Sequence, residues 1–524
     1  MGFVMIQIKS WLASDNRRNN LVLLFIGLNL AITIPLAALL NLGIDEGFSL
    51  NTTSKDIGYA IFHSIQFEGQ PPFYFALLNL WRSLNSSIFF ARLLSILAIS
   101  LTIYTAAVLS QRYFKHLHPG WVAATVALHP YSIWAALEIR MYAIAILLST
   151  LLLLFFFEGY LAETPKLRAK WLYLLCSVLG LYTNYLLACL LIGNALTLVI
   201  FKRWRALYSY ILTMVGVGVL FLPMAFILFF HFTRFSGVLA NYSVSFIESL
   251  RAVVGRVIDY VLPIKDLGKI PATFIDYLQL SWVLVLGLFV AKFHRFLTVY
   301  QAVLFSTALT SGIVLVSVLD LMNAITFSER YVYPLFTIAI FSLHSAFSVV
   351  PALRNKKNLI ICLMVLLFVC LSSLVSIYKP LAKSGDWKRV AAYIQATEKP
   401  NQPILVFPEL DSLPLSYHYS GINTLVPLPR AMGQEKFDLS TIVLKNEQEI
   451  IQALSKASAN PQTFWLVSSF RYRKQAPEYW SQCTSMNFKL NCQVLEEFIH
   501  KYYSIEQTKE FYLSNVRLVR RKPL

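Results

Sequence analysis

Long apolar runs separated by short basic clusters dominate this chain. Leu21 to Ile44 contains no ionisable side chain and is long enough to cross the hydrocarbon of a bilayer. Read by length and apolar continuity, the pattern predicts about eleven such helices. They fall at 21–43, 88–110, 120–137, 141–157, 171–184, 185–201, 207–231, 279–291, 298–320, 332–350 and 358–378. Basic clusters at Arg17-Arg18, Arg112 to Lys115, Lys166 to Lys170, Lys202 to Arg205, Lys292 to Arg295 and Arg354 to Lys357 occupy alternate connections. Clusters of this kind mark cytoplasmic loops, so the pattern predicts an inside N-terminus, an odd number of spans and an outside C-terminus.

The other connections then share the outer face: 44–87, the Glu138-Ile139-Arg140 corner, Asn184, 232–278, 321–331 and the tail from 379. Within the first, 52–66 and 72–84 are amphipathic or short apolar stretches that predict helices lying in the interface. Pro71-Pro72 suits the start of the second. Val244 to Val261 is another interfacial candidate, in a connection long enough to suggest a functional loop. After Tyr378 short apolar strands such as Ile404 to Phe407 and Phe464 to Val467 alternate with helical patterns such as Trp387 to Gln395. The expected fold is mainly α: a polytopic membrane helix bundle over 1–378, followed by a small extracytoplasmic α/β domain over 379–524.

Composition agrees with a membrane solvent, with 57% hydrophobic and 14% charged residues. The net charge of +18 sits in the short connections between apolar runs, which speaks against nucleic acid as a partner. Cys176, Cys189, Cys362 and Cys370 lie in apolar runs and read as small buried side chains. Cys483 and Cys492 lie in the polar tail and could bridge in an oxidising compartment. The first apolar run is too long for the core of a cleaved signal and is expected to remain as a helix. No internal repeat is visible, so an inverted-repeat carrier is not supported.

Candidate chemistry gathers on the outer face. Asp45-Glu46 follows the first helix, and Arg92 lies near the outer end of the second span. Glu138-Ile139-Arg140-Met141-Tyr142 forms an outer turn, and Glu329-Arg330-Tyr331 precedes the tenth span. Guanidinium groups fork phosphate and keep their charge, tyrosines add donors, and a neighbouring carboxylate can serve as a general base. Each residue also has a plain alternative. The arginines can snorkel to the headgroups, the tyrosines can belong to an aromatic belt, and the acidic pair can simply mark a helix end. His129 beside Pro130 reads as a packing residue, since no second histidine or cysteine lies at ligand spacing.

The ordered set resembles the C-type membrane glycosyltransferases, and more narrowly glycosyltransferase family 39 and its bacterial relatives. That group includes protein O-mannosyltransferases and lipid A aminoarabinose transferases. The resemblance runs through Asp45-Glu46-Gly47-Phe48-Ser49, Gln70-Pro71-Pro72-Phe73-Tyr74, Ala91-Arg92-Leu93-Leu94-Ser95, His129-Pro130 to Tyr142, and Arg330-Tyr331. It extends to Asp386-Trp387-Lys388-Arg389 leading into Ile404-Leu405-Val406. It implies a polyprenyl-phosphate-linked sugar donor and an inverting single displacement outside the membrane, onto a lipid, protein or glycan acceptor. Asp45 becomes the expected base, with Glu46 beside it. Arg140, Tyr142, Arg330 and Tyr331 become the expected partners of the donor phosphate, with Arg92, Gln70 and Glu138 as further candidates. The scheme needs no metal and no cofactor, because fixed cations can stabilise the leaving phosphate.

The sequence departs from the relatives at two positions. They commonly carry histidine where this chain has Gln70 and Asn184, which hydrogen-bond but do not titrate near neutrality. Two other readings stand beside the transferase: a transporter or flippase of lipid-linked saccharides, and a non-catalytic member that binds polyprenyl phosphate. Scarce charge within the spans argues against the first, and the retained Asp45 against the second.

Overall fold

The structure, a computed structural model, describes residues 16–239, 246–264, 294–321, 329–350, 355–383, 385–431, 443–457, 461–469, 484–485, 488–489 and 491–523, with a few single positions between. Two compact units result, each gathered from two stretches of chain. One comprises Met1–Ala37 and Gln70–Lys379, the other Ala38–Gly69 and Pro380–Leu524.

The helices run in order α1 (Asn16–Leu39), α2 (Ile44–Thr52), α3 (Ile57–Gln66), α4 (Phe73–Arg82), α5 (Ile88–Tyr113), α6 (Pro119–Leu128), α7 (Pro130–Leu137) and α8 (Tyr142–Phe156), which ends in a π-helical turn, Phe157–Leu161. They continue as α9 (Leu167–Leu181), α10 (Leu187–Ile200), α11 (Trp204–Leu239), α12 (Phe246–Val261) and α13 (Val299–Leu321). A 3-10 segment, Glu329–Leu335, leads into α14 (Phe336–Val349) and α15 (Lys356–Tyr378). Among the described residues seven helices are long and apolar enough to cross a membrane: Asn19–Leu39, Ile88–Tyr113, Tyr142–Leu161, Trp204–Leu228, Val299–Asp320, Val332–Val349 and Lys356–Tyr378. The expected spans at 171–184 and 185–201 appear as α9 and α10, of 15 and 14 residues. The one at 279–291 falls outside the described residues, apart from Ser281.

The expected single helix over 120–137 is two helices. Proline at 130 has no N–H and pushes the preceding residue out of the helical region, so His129 sits at φ −68, ψ 130. The break strands carbonyls that water cannot reach, and neighbouring side chains satisfy them. Ser132 Oγ donates to the Val126 carbonyl, and Asn29 Nδ2 of α1 donates to the Ala127 carbonyl at 2.7 Å. His129 Nδ1 accepts the Tyr131 N–H at 3.1 Å.

Elsewhere in this unit short polar side chains join helices. The Tyr173 and Tyr210 hydroxyls lie 2.8 Å apart, and Asn194 Nδ2 donates to Tyr173 Oη, which knits α9, α10 and α11 together. The helices α10 and α13 approach at Gly193, where a Cβ would sit 2.8 Å from the Ser311 backbone nitrogen. Small residues permit such approaches between membrane helices.

In the second unit α16 (Trp387–Thr397), β1 (Ile404–Phe407), α17 (Ser412–Ser416), β2 (Leu425–Pro427), α18 (Glu447–Ala457) and β3 (Thr463–Ser468) are followed by a small ladder of β4 (Thr484–Ser485) and β5 (Phe488–Lys489). The chain closes with α19 (Cys492–Tyr502), β6 (Tyr503–Phe511) and β7 (Ser514–Arg521). The main sheet has the order β2-β1-β3-β7-β6, with β2, β1 and β3 parallel and β7 antiparallel to both β3 and β6. Every residue of β1 is buried because both faces are covered, and the strand is correspondingly a continuous apolar run. Ile404 and Val406 join Trp387, Val390 and Ile394 of α16 on one face. Leu405 and Phe407 join Leu454, Leu495 and Phe498 of α18 and α19 on the other. Phe48 of α2 and Phe67, at the end of α3, enter that second core. Helix α3 turns Ile57, Ile61 and Phe62 outward, an arrangement suited to a helix lying in an interface. Cys492 is disulfide-bonded, while Cys483 lies outside the described residues.

The close approach at Gly193 generates a test. Gly193→Ala pushes a methyl group against Ser311 backbone, which cannot swing aside, so it should destabilise the bundle by about 1–3 kcal/mol. Thermal unfolding in detergent should show a clear drop in midpoint, and an unchanged midpoint would mean that α10 and α13 are further apart in solution.

Candidate functional site

The acidic pair opens α2. The chain leaves α1 at Leu39 and re-enters helix after Gly43, whose N–H is unsatisfied within the helix. Glu46, three residues on, reaches back so that its Oε2 accepts that N–H at 2.8 Å. The same oxygen accepts from Lys383 Nζ at 2.8 Å. Glu46 is 0% exposed, whereas Asp45 is half-buried. Two adjacent carboxylates thus occupy different environments, one fixed inside an ion pair and the other with a face toward solvent.

The approach to α2 is held as firmly. Asn41 Nδ2 donates to the Gly385 carbonyl at 2.6 Å, and its Oδ1 accepts the Lys383 N–H at 2.9 Å. The Leu42 N–H donates to His418 Nε2 at 3.1 Å. Gly47 lets Leu413 of α17 pack against the helix, since a Cβ there would meet Leu413 at 3.0 Å.

The other expected residues lie in the first unit. Arg92 is fully buried, with Nη1 donating to the Ala37 carbonyl at 2.8 Å, where a cation complements the C-terminal end of α1. Glu138 is half-buried, and its carbonyl accepts the Ser95 hydroxyl at 2.7 Å, which holds the turn before α8 to α5. Arg140 is buried in that turn. Tyr142 begins α8 inside an aromatic cluster, with ring centroids 4.9 Å from Trp134 and 6.1 Å from Tyr333. Arg330 and Tyr331 belong to the 3-10 segment, and their side chains lie outside the described positions. Gln70 is half-buried ahead of α4, and the Phe73 N–H donates to the Tyr182 carbonyl at 2.9 Å. That bond ties the segment of Gln70 to the turn of Asn184, whose Oδ1 accepts the Leu186 N–H at 2.9 Å. The two positions where histidine was expected therefore belong to joined segments.

Sequence reading did not single out Arg256. It lies on α12, 3.7 Å from Asp259 Oδ2. Tyr260 follows it one turn later on the same helix. Tyr260 and Tyr131 rings are 4.7 Å apart, and Tyr131 stacks on Trp134 at 5.3 Å. A continuous run of rings thus connects Tyr260, on the same helix as Arg256, to Tyr142. The signal available was the position of Arg256 within Val244 to Val261, but one arginine in an amphipathic stretch carries nothing by itself.

A cavity of about 280 Å³ opens in the second unit, beyond the carboxyl ends of β1 and β2, and Phe48, Phe67, Glu409, Ser412, Ser416 and Pro427 line it. Such edges of parallel strands are common ligand positions. Of the two buried carboxylates in this segment, Glu409 lines the cavity and Asp411 does not. Burial pushes Asp411 up to about 7, while the hydrogen bond from the Ser469 hydroxyl opposes the shift. Among the described residues no group of three or more His, Cys, Asp or Glu side chains gathers as a metal site.

Comparison with solved structures identifies the fold. No protein-family model and no curated protein matches the sequence. The crystal structure of ArnT from Cupriavidus metallidurans bound to undecaprenyl phosphate matches with a TM-score of 0.57 at 14% identity, covering 95% of this chain and 97% of that one. The apo form of ArnT from the same organism matches with a TM-score of 0.57 at 13% identity, covering 95% and 98%. The chain shares its fold with ArnT: a multi-helix membrane bundle with a small α/β part.

Asp411 supplies a pH test. Its carboxyl titrates near 3.8 when unfolded and at about 7 when folded, so the fold prefers the protonated form. The stability it confers is complete below the lower value and is lost as pH rises toward the upper one. Asp411→Asn removes that dependence. Exchange protection of the β1 amides in the wild type, relative to the variant, should fall between about pH 4 and pH 7. A constant difference would refute the shift.

Proposed function

We propose that this protein is an integral-membrane glycosyltransferase that moves one sugar from a polyprenyl-phosphate donor to an extracytoplasmic acceptor, whether lipid, protein or glycan. The observation that carries the reading is the nearly end-to-end match of fold to ArnT, a protein crystallised with undecaprenyl phosphate. Fold alone does not fix chemistry, and the residues supply the rest.

In the proposed step the acceptor oxygen attacks the anomeric carbon, the bond from that carbon to the phosphate oxygen breaks, and the acceptor proton passes to Asp45. The sugar inverts, and the polyprenyl phosphate departs with the bonding electron pair. Asp45 is the base because it is half-buried at the head of α2, while Glu46 is fully buried. Arg140 and Arg256 would neutralise the leaving phosphate, joined by Tyr142 and by Arg330 and Tyr331 of the sequence motif. The aromatic walls would exclude water and strengthen those interactions. The reaction side is proposed to be extracytoplasmic, from the placement of the basic clusters.

Asp45→Asn should lower transfer by about a hundredfold to ten-thousandfold while leaving insertion and folding intact. A purified variant with wild-type turnover would remove Asp45 as the base. Arg140→Ala and Arg256→Ala should each weaken binding of a polyprenyl-phosphate donor, with lysine restoring it only in part because the fork is lost. Wild-type donor affinity in both would return these arginines to a purely structural role.

Sidedness has its own test. Lys55 and Ser420 are both exposed and belong to one compact unit, so they share a side of the membrane. Cysteines at the two positions should react with an impermeant maleimide added to intact spheroplasts. Labelling that requires permeabilisation would place the unit in the cytoplasm.

A further inference from the structure

The acidic helix is held by a side chain more than three hundred positions away in sequence. Glu46 Oε2 takes two donors, the Gly43 N–H and the Lys383 ammonium, each at 2.8 Å. The Lys383 side chain is 11% exposed and that of Glu46 0%. Backbone and side-chain bonds from Lys383 and Gly385 to Asn41, and from Leu42 to His418, fix the segment just before. A buried ion pair contributes little net stability compared with a well-packed apolar pair, but breaking one side leaves an uncompensated charge that must move or take up a proton. Any movement of Glu46 loosens the cap of α2, and Asp45 lies in that first turn.

We propose that Lys383 is a positioning residue for Asp45, acting through Glu46 to hold the first turn of α2 in the geometry that transfer needs. The proposal rests on the glycosyltransferase reading with Asp45 as base. It assigns Lys383 a part in the reaction cycle, because its ammonium fixes the catalytic turn. A displacement of about 1 Å in a reacting group costs on the order of a hundredfold in rate, which sets the scale of the effect.

Substitution separates positioning from the two other roles open to a lysine. Lys383→Met should lower kcat by about tenfold to a hundredfold and leave the KM for donor within about twofold. Combined with Glu46→Gln, it should recover most of the lost kcat. The glutamine carbonyl still accepts the Gly43 N–H, and no buried charge remains unpaired. Hydrogen exchange of the Leu42, Gly43 and Gly47 amides in the full-length protein should rise in the single variant and return toward wild type in the double one. Transfer and donor KM are measured on wild type, both single variants, the double variant and Lys383→Arg. A wild type without transfer defeats the glycosyltransferase reading itself. An active wild type with unchanged kcat in Lys383→Met overturns the positioning role, as does a double variant as impaired as the single one. A raised KM for donor without recovery would make Lys383 a phosphate ligand instead. If Lys383→Met fails to fold, the double variant and Lys383→Arg decide: both folded and active supports the proposal, and both folded and inactive overturns it.

Discussion

Backbone polar groups that water cannot reach must find partners inside the chain, and this constraint orders the membrane part of the protein. It is most visible where a helix is interrupted. Pro130 splits a run of apolar residues, and the freed carbonyls of Val126 and Ala127 are taken up by Ser132 and by Asn29 of another helix. The end of α1 is treated in the same way, with Arg92 donating to the Ala37 carbonyl. These polar side chains stand in largely apolar surroundings because they complete the backbone's hydrogen bonds. Ser95 likewise donates to the Glu138 carbonyl and so anchors the turn that carries Arg140 and leads into Tyr142.

The same economy separates two neighbouring carboxylates. At a helix start the third residue is well placed to reach back to the cap, and Glu46 has the length to do so. Asp45, one methylene shorter and one position earlier, remains half-buried. Lys383 then neutralises the buried member. The difference between the two acids is one of surroundings rather than chemical type, as in other paired-carboxylate sites where environment assigns the roles.

Much of the architecture was legible in the chain. Apolar run length marked the long spans, the amphipathic stretches at 52–66, 72–84 and 244–261 proved helical as α3, α4 and α12, and the apolar runs at 404–407 and 464–467 mark strands of one sheet. These features are local: period, length and the two-sided burial of a parallel strand are written in consecutive residues. The break at His129-Pro130 carried its own signal in the proline, but the overall hydropathy of 120–137 outweighed it.

What consecutive residues cannot express is which distant groups meet. The motif placed Asp45 and Glu46 just after the first membrane span, and that much the sequence determined; that they open a helix of their own, Ile44–Thr52, came from the structure. Only the tertiary structure decided that residues 38–69 pack into the unit formed with residues from 380 onward, with Phe48 and Phe67 in the core beneath its sheet. Only there does Lys383 reach Glu46, and only there does Tyr260 join the rings around Tyr131 and Tyr142. The physical reason is common to all three. A charge or an aromatic ring acquires its role from the partner it is buried against, and burial is a property of the packed chain rather than of its neighbours in sequence.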